Sequence, residues 1–388
     1  MPPGAISPAQ PPSPSSHAGE QDVDLTAMAI EHKMNALNGH ANGNGHPAPV
    51  LQDLDASKLE YHLTSNPRPV PDEAVACSGT ETICTDHMLV ASWNYQTGWS
   101  APQIRPYGAF TLMPTASVLH YGTECFDGLK AYRGHDGALR LFRPHLNAAR
   151  LAMSALRISL PGFDPAALER LLHALVAVDA PRWLPRRGAA GRYLYLRPAV
   201  IATQAQLGVQ VPKEALLFAT ASFLPRLDEK PGGQRLHTSP EDTVRAWVGG
   251  FGHAKLGANY APSFPAMAEA QARGFGQVLW LYGPEGLCTE AGTSNFFVLL
   301  RPRGAARPQL VTAPLGDRLI LDGVNRRSVL ELARERLGEH LDVVERRFTI
   351  DEVVEAEREG RLVESFVSGT AVSGAPPFSG PHEADAAP

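Results

Sequence analysis

From Cys84 onward, hydrophobic and polar positions fall into short alternating and helical patterns that predict a mixed α/β chain. "HMLVASWN" and "ALRLFRP" read as strands, and "LNAARLAMSALRI" as a helix. "DPAALERLLHALVAV" predicts an amphipathic helix with one buried face. Asp164 stands at its N-cap, Pro165 at its first helical position, and Leu168, Leu171, Leu172, Leu175 and Val176 recur at helical spacing. "RYLYLRPAVIAT" alternates instead, which puts Tyr193, Tyr195 and Arg197 on one face of a strand and Leu194 and Leu196 on the other. "ALLFATASF" adds another strand. In the second half, strands are expected in "RAWVGG", "QVLWLYG", "SNFFVLL" and "VESFVSG", interleaved with helices in "SFPAMAEAQARGF", "RRSVLELARERLG" and "DEVVEAEREGR". No internal repeat is visible.

The interruptions between these patterns suggest the organisation. Residues 1–70, with "SPAQPPSPSS" and "NGHANGNGHPAP", are rich in Pro, Ser, Gly and Asn and read as a disordered tail. Within it "DVDLTAMAIEHKMNAL" has a helical spacing of Leu25, Met28 and Ala29, expected to fray in solvent. "LPRLDEKPGGQRLHTSPED" breaks regularity for long enough to be an interdomain linker. A smaller N-terminal domain is therefore expected over 71–223, a linker over 224–242, a larger C-terminal domain over 243–372 and a loose tail over 373–388.

Composition narrows the function. With 388 residues, 44% of them hydrophobic and 19% charged, the chain has material for a globular two-domain core. A net charge of −5 gives no electrostatic reason to expect nucleic acid or an anionic membrane surface. No apolar run approaches the roughly 18 residues that a membrane span requires. Small molecules remain as partners. Four scattered cysteines without a CxxC pair suggest reduced thiols, with neither a disulfide framework nor a metal site. Glu20, Asp22 and Asp24 precede the first arginine, Arg68, which is unlike an Arg-rich mitochondrial presequence and favours the cytoplasm.

The run "GGFGHAKLGANYAP" places Lys255 among Gly249, Gly250, Gly252 and Gly257, where the backbone can approach a ligand closely. A buried amine loses its proton readily and can form a Schiff base with an aldehyde. A cofactor of that kind also needs a phosphate cup and a partner for its ring nitrogen. "LDGVNRRSVLELARERLG" places Gly323, Val324 and Asn325 at a helix start, where free N–H groups and the helix dipole favour phosphate. "CTEAGTSNFFVLL" places Glu290 in a small-residue turn before a strand, where an acid could hold a pyridine nitrogen protonated. Each motif alone has an ordinary structural reading: a turn glycine, a solvated loop acid.

Their combination says more. "YGTECFDGLKAYRG", "LFRPHLNAARL", "YLYLRP", "RAWVGGFGHAKLGANYAP", "LCTEAGTSNFFV", "LDGVNRRSVLELA" and "VSGTA" occur in this order, from about Thr85 to Ala371. The series resembles the fold-type IV pyridoxal-phosphate enzymes and is similar to the eukaryotic branched-chain amino acid aminotransferases. The resemblance implies that Lys255 forms the Schiff base and moves the proton between substrate and cofactor. It implies further that Arg143 binds phosphate with Val324, Asn325 and Thr370, that Tyr260 bonds the phenolic oxygen, that Glu290 meets the ring nitrogen, and that Thr293 lies near both substrate and phosphate. For substrate it implies Tyr195 and Arg197 at the charged group, Ala371 nearby, and the aromatic residues Tyr121 and Phe126, the tyrosine reaching across a homodimer. The reaction implied is transfer of an amino group from leucine, isoleucine, valine or a related aliphatic amino acid to 2-oxoglutarate. A D-amino acid aminotransferase, an aminodeoxychorismate lyase or a catalytically weak paralogue serving as a binding partner are the alternatives; "YLYLRP" and "KLGANYAP" count against the first two. The chain departs from the family pattern in lacking a tyrosine in the linker and a cysteine pair after "SGTA".

Overall fold

A computed structural model describes residues 51–72, 75, 82–186, 189, 191–224 and 233–370. The segment "DVDLTAMAIEHKMNAL", Ala371 and the expected tail 373–388 lie outside the described residues.

Among the described residues the first sheet has nine strands: β1 (Glu60–Tyr61), β2 (His87–Asn94), β3 (Gly98–Trp99), β4 (Gln103–Pro106), β5 (Glu124–Phe126), β6 (Leu129–Arg133), β7 (Leu139–Leu141), β8 (Tyr193–Ala202) and β9 (Glu214–Ser222). Its spatial order is β1-β4-β2-β9-β8-β6-β7, with β3 on β2 and β5 on β8. Two helices, α1 (Pro144–Arg157) and α2 (Pro165–Trp183), supply the other layer of its core. The α2 carboxylate cap forms as its sequence requires: Asp164 accepts a hydrogen bond from the Ala166 N–H at 2.9 Å. Leu168, Leu171, Leu172, Leu175 and Val176 are buried with Leu151 of α1 and with Leu194 and Leu196 of β8. Since β8 alternates, Tyr195 and Arg197 turn to the face away from those leucines.

Residues 51–70 do not behave as a tail. Leu54 is buried in the core, β1 pairs in parallel with β4, and the Thr64 N–H donates to His87 Nε2 at 2.9 Å. His87 in turn donates through Nδ1 to Asp179 of α2 at 2.7 Å, both side chains being buried. A few apolar residues, Leu54 and Leu59 among them, suffice to tether a stretch that its polar composition alone would leave loose.

The second sheet, again among the described residues, has seven strands: β10 (Leu236–Thr238), β11 (Gln277–Tyr282), β12 (Leu287–Ala291), β13 (Ser294–Leu300), β14 (Gln309–Thr312), β15 (Asp342–Glu345) and β16 (Leu362–Ser368). They run β10-β11-β12-β13-β14-β15, with β16 on β13, and helices α3 (Phe264–Ala272), α4 (Val324–Leu337) and α5 (Ile350–Arg358) accompany them. β16 is fixed by aromatic pairing: Phe366 stacks on its cross-strand partner Phe297 at 4.8 Å between centroids. β10 falls inside the stretch expected as linker and adds to β11 in parallel. "RAWVGG" forms turns and no strand; Gly249 takes a φ of 84°, which an extended run does not accommodate. Among the described residues no helix is long and apolar enough to cross a membrane.

Candidate active site

The loop around Lys255 is pinned to the first sheet. The Lys255 N–H donates to Ser154 Oγ of α1 at 2.9 Å, and the Phe126 N–H of β5 donates to the Lys255 carbonyl at 3.1 Å. This fixed backbone aims the half-buried side chain: Nζ donates to the Tyr260 hydroxyl at 3.0 Å and lies 5.0 Å from the Phe126 ring centroid. Arg197 covers the same ring at 4.6 Å and donates to the Tyr195 hydroxyl at 3.0 Å. Lys255, Tyr260, Phe126, Tyr195 and Arg197 thus form one cluster. The glycines serve this packing: a Cβ on Gly257 would meet Glu124 Oε1 at 1.5 Å, and one on Gly252 would meet the Ala246 Cβ at 2.3 Å. At these two positions the close approach is made to the chain's own atoms, whereas nothing lies within 4 Å of a Cβ at Gly249.

Glu290 lies on β12, 2% exposed, and its place follows from a tight hairpin. Gly292 and Thr293 turn between Ala291 and Ser294, with Gly292 at a φ of 57°, so Glu290 pairs with Asn295 across the strands. Oε1 of Glu290 accepts from the Leu321 N–H at 3.0 Å and from the Asn295 amide at 3.2 Å. Oε2 faces Arg245 Nη1 at 2.6 Å in an ion pair whose geometry satisfies no hydrogen bond, leaving Oε2 a buried acceptor without an aligned donor. Burial pushes the Glu290 carboxyl above the usual carboxylate range, although Arg245, the Leu321 N–H, Lys255 and Arg150 all oppose that shift.

The third part is the start of α4. Gly323 is its N-cap and offers no side chain to the first-turn N–H groups of this 14-residue helix. Val324, Asn325 and Thr370 line one cleft together with the buried Lys130 and Asn147. Asn325 donates to the Gly369 carbonyl at 2.9 Å, tying the helix start to the end of β16. Arg143, in the left-handed region at φ 48° just before Pro144, reaches across to donate to Ser328 Oγ at 2.9 Å and to the Glu331 carboxylate at 2.7 and 3.1 Å. Beneath it Arg150 binds the fully buried Asp127 at 2.7 and 2.8 Å and donates to the Asp322 carbonyl, one residue before the N-cap.

Not every expected residue joins these groups. Tyr121 is exposed, with a ring contact to His120, and Thr293 is exposed at the hairpin tip. Ala371 lies outside the described residues. Two residues that sequence reasoning passed over stand at the centre, Arg245 and Asn295. A two-residue hairpin pairs positions five apart, so Asn295 was readable from "TEAGTSN". Arg245 carried no such signal, since nothing in "RAW" predicts a buried guanidinium.

The model of a family described as amino-transferase class IV matches residues 124–373. A mitochondrial branched-chain-amino-acid aminotransferase of Schizosaccharomyces pombe is 42% identical over 359 residues, covering 92% of this chain and 80% of its own. A cytosolic one of Saccharomyces cerevisiae is 42% identical over 325 residues, covering 83% and 84%. Among solved structures, the branched-chain aminotransferase of Thermoproteus uzoniensis with norvaline superposes with a TM-score of 0.58 at 25% identity, covering 75% of this chain and 86% of that one. A match of this extent and identity, on a chain that gathers a lysine, a tyrosine, a buried glutamate and an uncapped helix start, places it in the class IV aminotransferase family, among the branched-chain-amino-acid aminotransferases.

Proposed function

We propose that the enzyme transfers the amino group of leucine, isoleucine, valine or a related aliphatic L-amino acid to 2-oxoglutarate, with pyridoxal phosphate as cofactor. The observation that carries this reading is the Lys255 amine held 3.0 Å from the Tyr260 hydroxyl, beside the aromatic and cationic wall of Phe126 and Arg197.

The residues suit the cofactor. Glu290 Oε2 is a buried acceptor lacking an aligned donor, which a protonated ring nitrogen would satisfy. The uncapped α4 start, with Asn325 and Thr370 in its cleft, suits a dianionic phosphate; Arg143, which donates to Ser328 and Glu331 further along the same helix, is assigned to the phosphate on the resemblance. Pyridoxal phosphate, when bound, supplies an electron-withdrawing ring that eases departure of the Cα proton. Lys255 is the base that takes this proton and returns it, and Tyr260 orients its amine. Phe126 packs an aliphatic side chain, while Arg197 and Tyr195 receive the second carboxylate of glutamate or 2-oxoglutarate. Thr293 and Ala371 are assigned to the substrate side on the resemblance.

Tyr121, exposed in one chain, is assigned to the pocket of a second copy in a homodimer. The two sheets support an N-terminal domain over 71–223, extended back to about residue 51, and a C-terminal one over 243–372, the first being the longer of the two and carrying nine strands against seven. Relatives bear both mitochondrial and cytosolic names, and the acidic, arginine-free composition before Arg68 favours the cytoplasm. The test is an assay of glutamate formation from 2-oxoglutarate against a panel of amino acids. Leucine, isoleucine and valine should be the best donors; preference for D-alanine would reverse the reading.

A further inference from the structure

We propose that Arg245 is a positioning residue for the reaction: its guanidinium keeps the buried Glu290 an anion, while Asn295 and the Leu321 N–H hold Oε1, tie the carboxylate to the start of α4 and leave Oε2 to accept from the ring nitrogen. This deepens the reading above and rests on it.

Arg245 and Glu290 are 7% and 2% exposed at the side chain, with Nη1 and Oε2 2.6 Å apart. A carboxylate so buried tends to take a proton, and burial does push this one up. Three cations face it: Arg245 from the loop before Lys255, Lys255 itself, and Arg150 of α1. They are not equivalent. Arg150 is matched by Asp127, which it holds at 2.7 and 2.8 Å. Lys255 must be a neutral amine whenever it acts as nucleophile or base, so its charge is not constant. Arg245 is the permanent charge left to balance Glu290, and its field is the largest influence that opposes the effect of burial on this carboxyl.

Orientation follows from the other contacts. Leu321 N–H and the Asn295 amide occupy Oε1, so the acceptor direction that stays open belongs to Oε2. Asn295 also donates to the Leu321 carbonyl at 2.8 Å, and its Oδ1 packs over Gly323, where an added Cβ would lie 2.1 Å away. One amide therefore couples the carboxylate to the helix N-cap.

The experiment compares Arg245→Met, Arg245→Lys, Glu290→Gln and the double variant Arg245→Met/Glu290→Gln as loaded enzymes. Wild type should show a visible cofactor band that is constant through neutral pH. In Arg245→Met the band should titrate within that range, cofactor loss on dialysis should quicken, and kcat should fall on the order of 10²-fold. Arg245→Lys should restore the band. Because Arg245 acts through Glu290, the double variant should be no worse than Glu290→Gln alone. This double variant leaves no uncompensated buried anion, so it keeps the test available if Arg245→Met does not fold. An unaltered band and kcat in Arg245→Met, or additive losses in the double variant, would overturn the role of Arg245. Wild-type protein that takes up no pyridoxal phosphate would instead overturn the reading beneath it.

Discussion

Lys255 Nζ donates to the Tyr260 hydroxyl at 3.0 Å, five residues on along the same loop. Because Lys255 is fixed at its N–H by Ser154 and at its carbonyl by Phe126, the amine has little freedom except about its own side chain. Lys255→Ala should therefore abolish transamination and leave no cofactor that borohydride can trap on the protein. Tyr260→Phe removes one hydrogen bond, about 1 kcal/mol, and should slow turnover roughly fivefold with the cofactor still trapped. Trapping in Lys255→Ala at the wild-type level would remove the lysine from its role.

The two arginines assigned to the site lie in different places. Arg197 sits over Phe126 within the Lys255 cluster, whereas Arg143 donates to Ser328 and Glu331 on α4. Arg197→Ala should raise KM for glutamate and 2-oxoglutarate about 10- to 100-fold, as loss of a charged hydrogen bond predicts, and leave cofactor binding alone. Arg143→Ala should speed cofactor dissociation with little change in those KM values. A crossed result, cofactor lost from the Arg197 variant and retained by the Arg143 variant, would exchange the two assignments.

What the sequence revealed depended on local periodicity. The α2 face from Leu168 to Val176 and the β8 alternation at Tyr195 and Arg197 were legible because one residue's neighbours set its environment. The turns at "RAWVGG" were not, since a short apolar run fits a strand equally well until Gly249 fixes its φ. The order in residues 51–70 was hidden for another reason: Leu54 is held by a core assembled from residues far along the chain, which composition cannot weigh. The same limit hid Arg245, whose partner Glu290 lies 45 positions away.

Gly257 takes no left-handed conformation, so its role is spatial. A Cβ there would come within 1.5 Å of Glu124 Oε1 and 2.6 Å of its carboxyl carbon. Gly257→Ala should cost about 1–3 kcal/mol in denaturant unfolding, as overpacking does, and should disturb the loop that carries Lys255. Adding Glu124→Ala removes the clash and should restore most of the loss. If Gly257→Ala alone unfolds at the wild-type midpoint, Glu124 swings away freely and the contact is unimportant.

The Arg150–Asp127 pair gives a test by pH. Burial pushes the Asp127 carboxyl up, yet the Arg150 guanidinium, Lys255 and the Asn147 amide together hold it below the usual carboxylate range. A folded-state pKa below the unfolded value of about 3.9 contributes stability that is fully present above that pH and is lost only as pH falls through the folded value. Between pH 5 and 8 the pair's contribution in the wild type should therefore be constant. Arg150→Met strands a buried carboxylate, at a cost of about 3–5 kcal/mol near neutrality, and the folded pKa should then rise above the unfolded one. The sign reverses: the folded state now binds the extra proton, so the variant should be more stable at pH 5 than at pH 8. Urea unfolding at both pH values measures this, and Asp127→Asn in the Arg150→Met background should remove the difference. A variant equally stable at pH 5 and pH 8 would mean that water reaches Asp127 once Arg150 is gone, and that the pair does not hold the α1 end of the site by its charge.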